Sequence, residues 1–166
     1  RQMCIRDSVK TDKNLNTYCV IIANENYEDI PVVDYASRDG EVFREYCIKT
    51  LGVPEKQIKS FINASYTDIK RALNWVETMT DISEGNSKVI FYYAGHGIPD
   101  EKEKASYLIP TDGFPKDITT CFKLGDIYAR LGKLKTQNVT VLLDACFSGV
   151  KRGSGQALIA ARGVAL

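Results

Sequence analysis

The chain has 166 residues, 44% hydrophobic and 26% charged, with a formal net charge of +1. One globular domain of that size buries roughly two-thirds of its unfolded surface, and the composition excludes a disordered or fibrous chain. Near-zero charge offers no footprint for nucleic acid or an anionic membrane surface, and no apolar stretch approaches the roughly 20 residues of a spanning helix.

Residues 1–9 (RQMCIRDSV) carry no strand or helix periodicity and no signal-peptide core. They read as a non-native leader, a translated adapter scar, and leave the native start unknown. Residues 10–166 read as a single domain that stops abruptly at Ala165-Leu166. Tyr18 to Ala23 (YCVIIA) has the length and apolarity of a strand, and Asn24 to Pro31 is loop chemistry. From Asp34 to Thr50 the apolar residues Ala36, Val42, Phe43, Tyr46, Cys47 and Leu51 approach helical spacing, with Gly52 as a stop. Ile58 to Ile62 reads as a second strand. Thr67 is the expected cap of a helix whose buried face is Ile69, Ala72, Leu73, Val76 and Met79. Glu84-Gly85-Asn86 turns the chain into a third strand, Lys88 to Tyr93, followed by a polar loop, Gly95 to Lys104. Tyr107-Leu108-Ile109 is extended and stopped by Pro110, Leu124 to Leu134 is a third helix, and Val139 to Leu143 a fourth strand. Strands alternating with helices predict a mostly parallel sheet covered on both faces, a three-layer α/β/α sandwich.

Two segments carry chemistry: Tyr92-Tyr93-Ala94-Gly95-His96-Gly97 and Leu143-Asp144-Ala145-Cys146-Phe147-Ser148-Gly149. Each leaves a buried parallel strand at its carboxyl end, the edge where open α/β sheets bind their ligands. His96 is the chain's only histidine. A thiolate attacks where a thiol does not, and an imidazole can hold it as an ion pair and later protonate a leaving amine. Backbone N–H groups of Gly97 and Cys146 are candidate donors to a tetrahedral oxyanion. Separately, a cysteine at a strand end is ordinary packing and a histidine between glycines an ordinary loop residue. Their joint occurrence at equivalent strand ends is what points to catalysis.

Both motifs together resemble those of the caspase-like cysteine peptidases, in the bacterial metacaspase-like branch, where a histidine about 50 residues ahead of the cysteine is a known mark. The similarity runs from about Tyr18 to Gly149 and includes Tyr107-Leu108-Ile109-Pro110. It implies a caspase-like fold cut before its small-subunit strands, with Cys146 as nucleophile, His96 as general acid/base, and Gly97 and Cys146 as the oxyanion hole. It also implies that Asp144, with Asp39 in the first helix, holds an Arg or Lys at P1, where animal caspases hold an aspartate. Gly40 stands where that branch has Ala, and Arg38 neighbours Asp39. The plainer roles are a solvated helix carboxylate for Asp39 and a turn-capping side chain for Asp144.

The expected activity is thus a cysteine endopeptidase acting on protein or peptide, with no nucleic-acid or membrane partner and a C-terminal small-subunit segment still to come. The competing readings are a catalytically silent caspase-like module and a flavodoxin-like binding domain. No cofactor is required by this chemistry. The run Asp100 to Lys104 is expected to be a solvated loop, and a calcium site there lacks a spaced ligand set. Five widely spaced cysteines with no CxxC pair argue against disulfides or zinc and for a reducing, cytoplasmic setting, although the unknown start leaves secretion open. Trp75, Tyr92 and Tyr93 fit core packing, and Lys151-Arg152 is a self-cleavage site or a linker.

Overall fold

The computed structural model describes residues 13–100, 102 and 104–146, with only the backbone at Cys146. The leader at 1–9, Gly149 and the Lys151-Arg152 pair lie outside the described residues. Strand β1 is Thr17–Ala23, helix α1 Ala36–Lys49, β2 Ile58–Ile62, α2 Tyr66–Ile82 and β3 Lys88–Asp100. Strands β4 (Ala105–Leu108) and β5 (Phe122–Lys123) follow, then α3 (Leu124–Leu131) and β6 (Asn138–Cys146). One six-stranded sheet results, in the order β2-β1-β3-β4-β5, with β6 also on β3. The β1–β2, β1–β3 and β3–β6 pairs are parallel, and β3–β4 and β4–β5 antiparallel.

Strand alternation sorts the core into layers. Val20 and Ile22 of β1 and Val89, Phe91 and Tyr93 of β3 pack with Ile69, Ala72, Leu73 and Val76 of α2 and Ile127 and Leu131 of α3. The intervening Cys19 and Ile21 face Cys47 and Phe43 of α1, joined by Ile90 and Tyr92. Helix α1 therefore covers one face and α2 with α3 the other: the expected three-layer sandwich. Each fully buried aliphatic of α2 contributes roughly 1.5–3 kcal/mol to that layer. Helix α1 lies so close to β1 that a methyl group on Gly40 would collide with the Cβ of Ala23.

Several boundaries differ from the sequence reading. Helix α2 is capped by Ser65, not Thr67. The Ser65 hydroxyl accepts from the Asp68 N–H at 3.2 Å, and the Asp68 carboxylate accepts from the Ser65 N–H at 3.1 Å. This reciprocal box needs an acidic residue three places after the cap, and Lys70 stands there after Thr67. On α1, Val42 and Tyr46 are exposed, and the buried positions are Ala36, Gly40 and Cys47. Tyr35, at the N-cap, is left-handed (φ 71°) and offers no side-chain cap; Glu25 accepts from the Ser37 N–H at 3.0 Å instead. Helix α3 ends at Leu131 rather than Leu134, and two-residue β5 carries no periodic signal in the sequence.

The largest correction concerns Gly95 to Lys104. The segment is not a loop: β3 runs on to Asp100 and forms a hairpin with β4. A Gly-His-Gly-Ile-Pro sequence hides the strand, because its partner lies in residues that follow. The turn is closed by the Asp100 carboxylate, which accepts from the Lys102 N–H at 2.7 Å.

Candidate active site

His96 lies inside β3, 5% exposed, not in a loop beyond it. In the parallel β3–β6 ladder its Cα partner is Cys146, and Asp144 pairs with Ala94. The two positions marked out by the sequence are thus side by side on adjacent strands, at the last pair of the parallel β3–β6 ladder.

The loop between β1 and α1 holds the histidine. Nε2 of His96 lies 2.7 Å from the Pro31 carbonyl oxygen. A carbonyl only accepts, so Nε2 carries a proton and Nδ1 is the ring nitrogen left to exchange one. The Tyr27 ring packs on the imidazole with centroids 4.8 Å apart, and the His96 N–H donates to Tyr27 Oη at 2.8 Å. On the other side of the same residue, the Tyr93 hydroxyl reaches the His96 carbonyl at 2.7 Å and the Ile109 carbonyl at 3.0 Å. Burial pushes the Tyr27 phenol up to about 12, only partly offset by the His96 N–H, and lifts Tyr93 well above its ordinary range. Both remain neutral hydroxyls at physiological pH. Gly95 fits beneath them with φ 153°; a Cβ there would stand 2.6 Å from Tyr27 Oη and 3.0 Å from Tyr93 Oη.

Backbone directions follow from the ladder. The Ile109 N–H donates to the His96 carbonyl at 3.1 Å, which flanks the Gly97–Leu108 pair. That makes Gly97–Leu108 a non-hydrogen-bonded antiparallel pair, whose N–H groups turn away from each other. The Asn24 N–H, beyond β1, takes the Ala94 carbonyl at 2.8 Å, so alternate carbonyls of β3 face the β1 side. Gly97's N–H accordingly faces the β6 side, toward the register of Cys146.

On β6, Val141, Leu143 and Ala145 pack against the α2/α3 layer, so Leu142 and Asp144 face the α1 side. Ala94, Asp144's register partner, packs with Ala36 in the first turn of α1. Asp39 lies in that same turn, partly buried. Both carboxylates therefore belong to one end of one face. The sequence reading missed Tyr27 and Pro31, which it placed in a featureless loop, and it assigned Tyr93 to packing alone. They lie 69, 65 and 3 residues from His96, and the separation of the first two leaves no local pattern.

Trp75 and Tyr92 have the packing roles expected: Trp75 meets Tyr18 edge-on at 5.9 Å, and Tyr92 stacks on Phe43 at 4.4 Å. Among the described residues no three His, Cys, Asp or Glu side chains come together as a metal site, and no helix is long and apolar enough to cross a membrane.

A family model described as the caspase domain matches residues 16–162. The chain belongs to the caspase-domain family. That match takes in both motifs and every element above. The fold is also similar to the crystal structure of protein GSU0716 from Geobacter sulfurreducens, with a TM-score of 0.61 and 14% identity over 79% of this chain. The caspase domain seen here spans 50% of that structure's chain. No curated protein matches it in sequence.

Proposed function

We propose that this caspase domain is the catalytic part of a cysteine endopeptidase of the metacaspase branch, cleaving after Arg or Lys. The observation that carries the reading is the register of His96 beside Cys146 on adjacent parallel strands. With Nε2 protonated and bound to Pro31, Nδ1 is the nitrogen able to accept the Cys146 thiol proton. The thiolate then adds to the scissile carbonyl carbon. The resulting oxyanion takes the N–H groups of Gly97 and Cys146, and its collapse expels the amine, which leaves with the proton from the imidazolium. The thioester is hydrolysed by a water whose proton returns to His96, and the thiol is regenerated. These steps draw on cysteine, imidazole and water alone.

Asp144 and Asp39 are assigned to the P1 pocket. A guanidinium makes bidentate, charge-assisted bonds to carboxylates and so is preferred to an ammonium, while an acidic P1 side chain meets like charge. The rest of the substrate-binding wall is assigned to a small-subunit segment following the residues described.

The test uses fluorogenic peptides differing only at P1, with the complete chain. Cleavage after Arg, then Lys, and none after Asp is expected. Asp144→Ala lowers kcat/KM for Arg peptides by roughly 100-fold, and His96→Ala lowers turnover by about 10²–10⁴-fold. Indifference to P1 charge would refute the pocket and leave the dyad; turnover unchanged in His96→Ala would refute the dyad. No turnover of any peptide by the complete chain would favour a silent caspase-like module.

A further inference from the structure

Tyr27 does more around His96 than fill space. Its hydroxyl oxygen accepts the His96 N–H at 2.8 Å, and its ring packs on the imidazole at 4.8 Å. Tyr93 in turn has carbonyls of His96 and Ile109 as partners, at 2.7 and 3.0 Å. Carbonyls only accept, so the Tyr93 hydroxyl is the donor to both. One tyrosine thus holds the backbone nitrogen of His96 and the other its oxygen. Five residues past Tyr27, the same loop presents the Val32 side chain outward, and just before it the Pro31 carbonyl takes Nε2. The space the two phenols occupy is opened by Gly95, whose missing Cβ would fall between them. A ring that served packing alone would need neither the hydroxyl nor that glycine; Tyr27 is half-buried, and its hydroxyl has the His96 N–H as partner.

We infer that Tyr27 is a positioning residue for the reaction proposed above: its hydroxyl and ring fix the backbone and the ring plane of His96, so that Nδ1 stays directed along the β3–β6 register. The inference rests on the dyad reading for its catalytic consequence, and on the hydrogen-bond geometry alone for its effect on the histidine. Removing the hydroxyl leaves the His96 N–H buried without its acceptor and lets the imidazole turn about its side-chain bonds. Removing the ring as well takes away the surface against which it rests.

The chain's single histidine makes the effect directly visible. Long-range 1H–15N spectra of the parent chain report one imidazole, expected with Nε2 protonated, and the His96 amide exchanges as slowly as those of its β3 neighbours Phe91 and Tyr93. In Tyr27→Phe the ring contact stays. The His96 amide is expected to exchange at least tenfold or so faster while Phe91 remains protected, and the imidazole to show mixed tautomers. With an Arg peptide, kcat falls roughly tenfold and KM stays within about twofold. Tyr27→Leu falls further, so that Phe rescues part of the loss. A Tyr27→Phe protein with parental exchange, tautomer and kcat would overturn the inference. So would a parent chain in which the His96 amide exchanges freely or Nε2 carries no proton, a result that needs no variant to fold. Turnover that survives His96→Ala would instead remove the dyad reading, and the exchange and tautomer results would still decide whether Tyr27 fixes the histidine.

Discussion

Gly95→Ala isolates the close approach on which the histidine's placement depends. The glycine's φ of 153° is one that L side chains rarely adopt, which costs an alanine roughly 1–3 kcal/mol. Its methyl would also stand 2.6 Å from Tyr27 Oη, 3.0 Å from Tyr93 Oη and 3.2 Å from the Asn24 Cβ. None of these is the far end of a flexible chain: two are ring hydroxyls bound on several sides, and the third is attached to the backbone beyond β1. Overpacking of that kind adds about 1–3 kcal/mol. The sum, about 2–6 kcal/mol, is a large part of the 5–15 kcal/mol that holds a typical domain folded. Urea unfolding measures it: with a slope of about 2 kcal/mol per molar, the midpoint should fall by about 1–3 M. Gly125→Ala is the comparison, since nothing lies within 4 Å of a Cβ at that helical position, and there an alanine should stabilise by up to about 1 kcal/mol. A Gly95→Ala midpoint within about 0.25 M of the parent would refute the reasoning.

Two further outcomes follow from the fold. Gly40→Ala, although it restores the residue expected from the family resemblance, drives a methyl into Ala23 and should cost about 1–3 kcal/mol by thermal unfolding; an unchanged Tm would mean α1 can shift off the sheet freely. The hydrogen bonds from Ser65 hold the Asp68 carboxyl below its ordinary range. A lowered folded-state value gives stability that is present above the ordinary carboxylate range and lost as pH falls through it. The advantage of the parent over Asp68→Asn should therefore be full at about pH 7 and gone by about pH 2, and a difference independent of pH would contradict the capping box.

How far the sequence could be read depends on the range of the interactions involved. Apolar runs such as Val20-Ile21-Ile22 and the Ile69/Leu73/Val76 stripe announce their elements locally, and the parallel three-layer plan follows from their alternation. The His96 and Cys146 motifs were legible because glycines and an apolar strand precede or flank each one in the chain itself. What could not be read is what comes from afar. The continuation of β3 depends on β4, whose pairing hides behind Gly97 and Pro99. The hold on His96 comes from Tyr27 and Pro31, residues with no periodic or motif signal. Thr67 was mistaken for the helix cap because a hydroxyl before an acid looks sufficient; only the three-residue offset from Ser65 to Asp68 lets the two groups reach one another.

The central claim is that His96 activates Cys146, and the rate of Cys146 alkylation against pH tests it most directly. Cys19 and Cys47 are fully buried and Cys121 nearly so; the hydrogen bond to Cys47 and burial hold the Cys19 thiol far above its ordinary range, and burial raises Cys121. With limiting iodoacetamide and peptide mapping, Cys146 should be modified first among these four, already at pH values below about 7, and His96→Ala should move its reactivity up to that of an ordinary thiol. Labelling of Cys19, Cys47 or Cys121 ahead of Cys146, or a Cys146 profile unchanged by His96→Ala, would contradict the account.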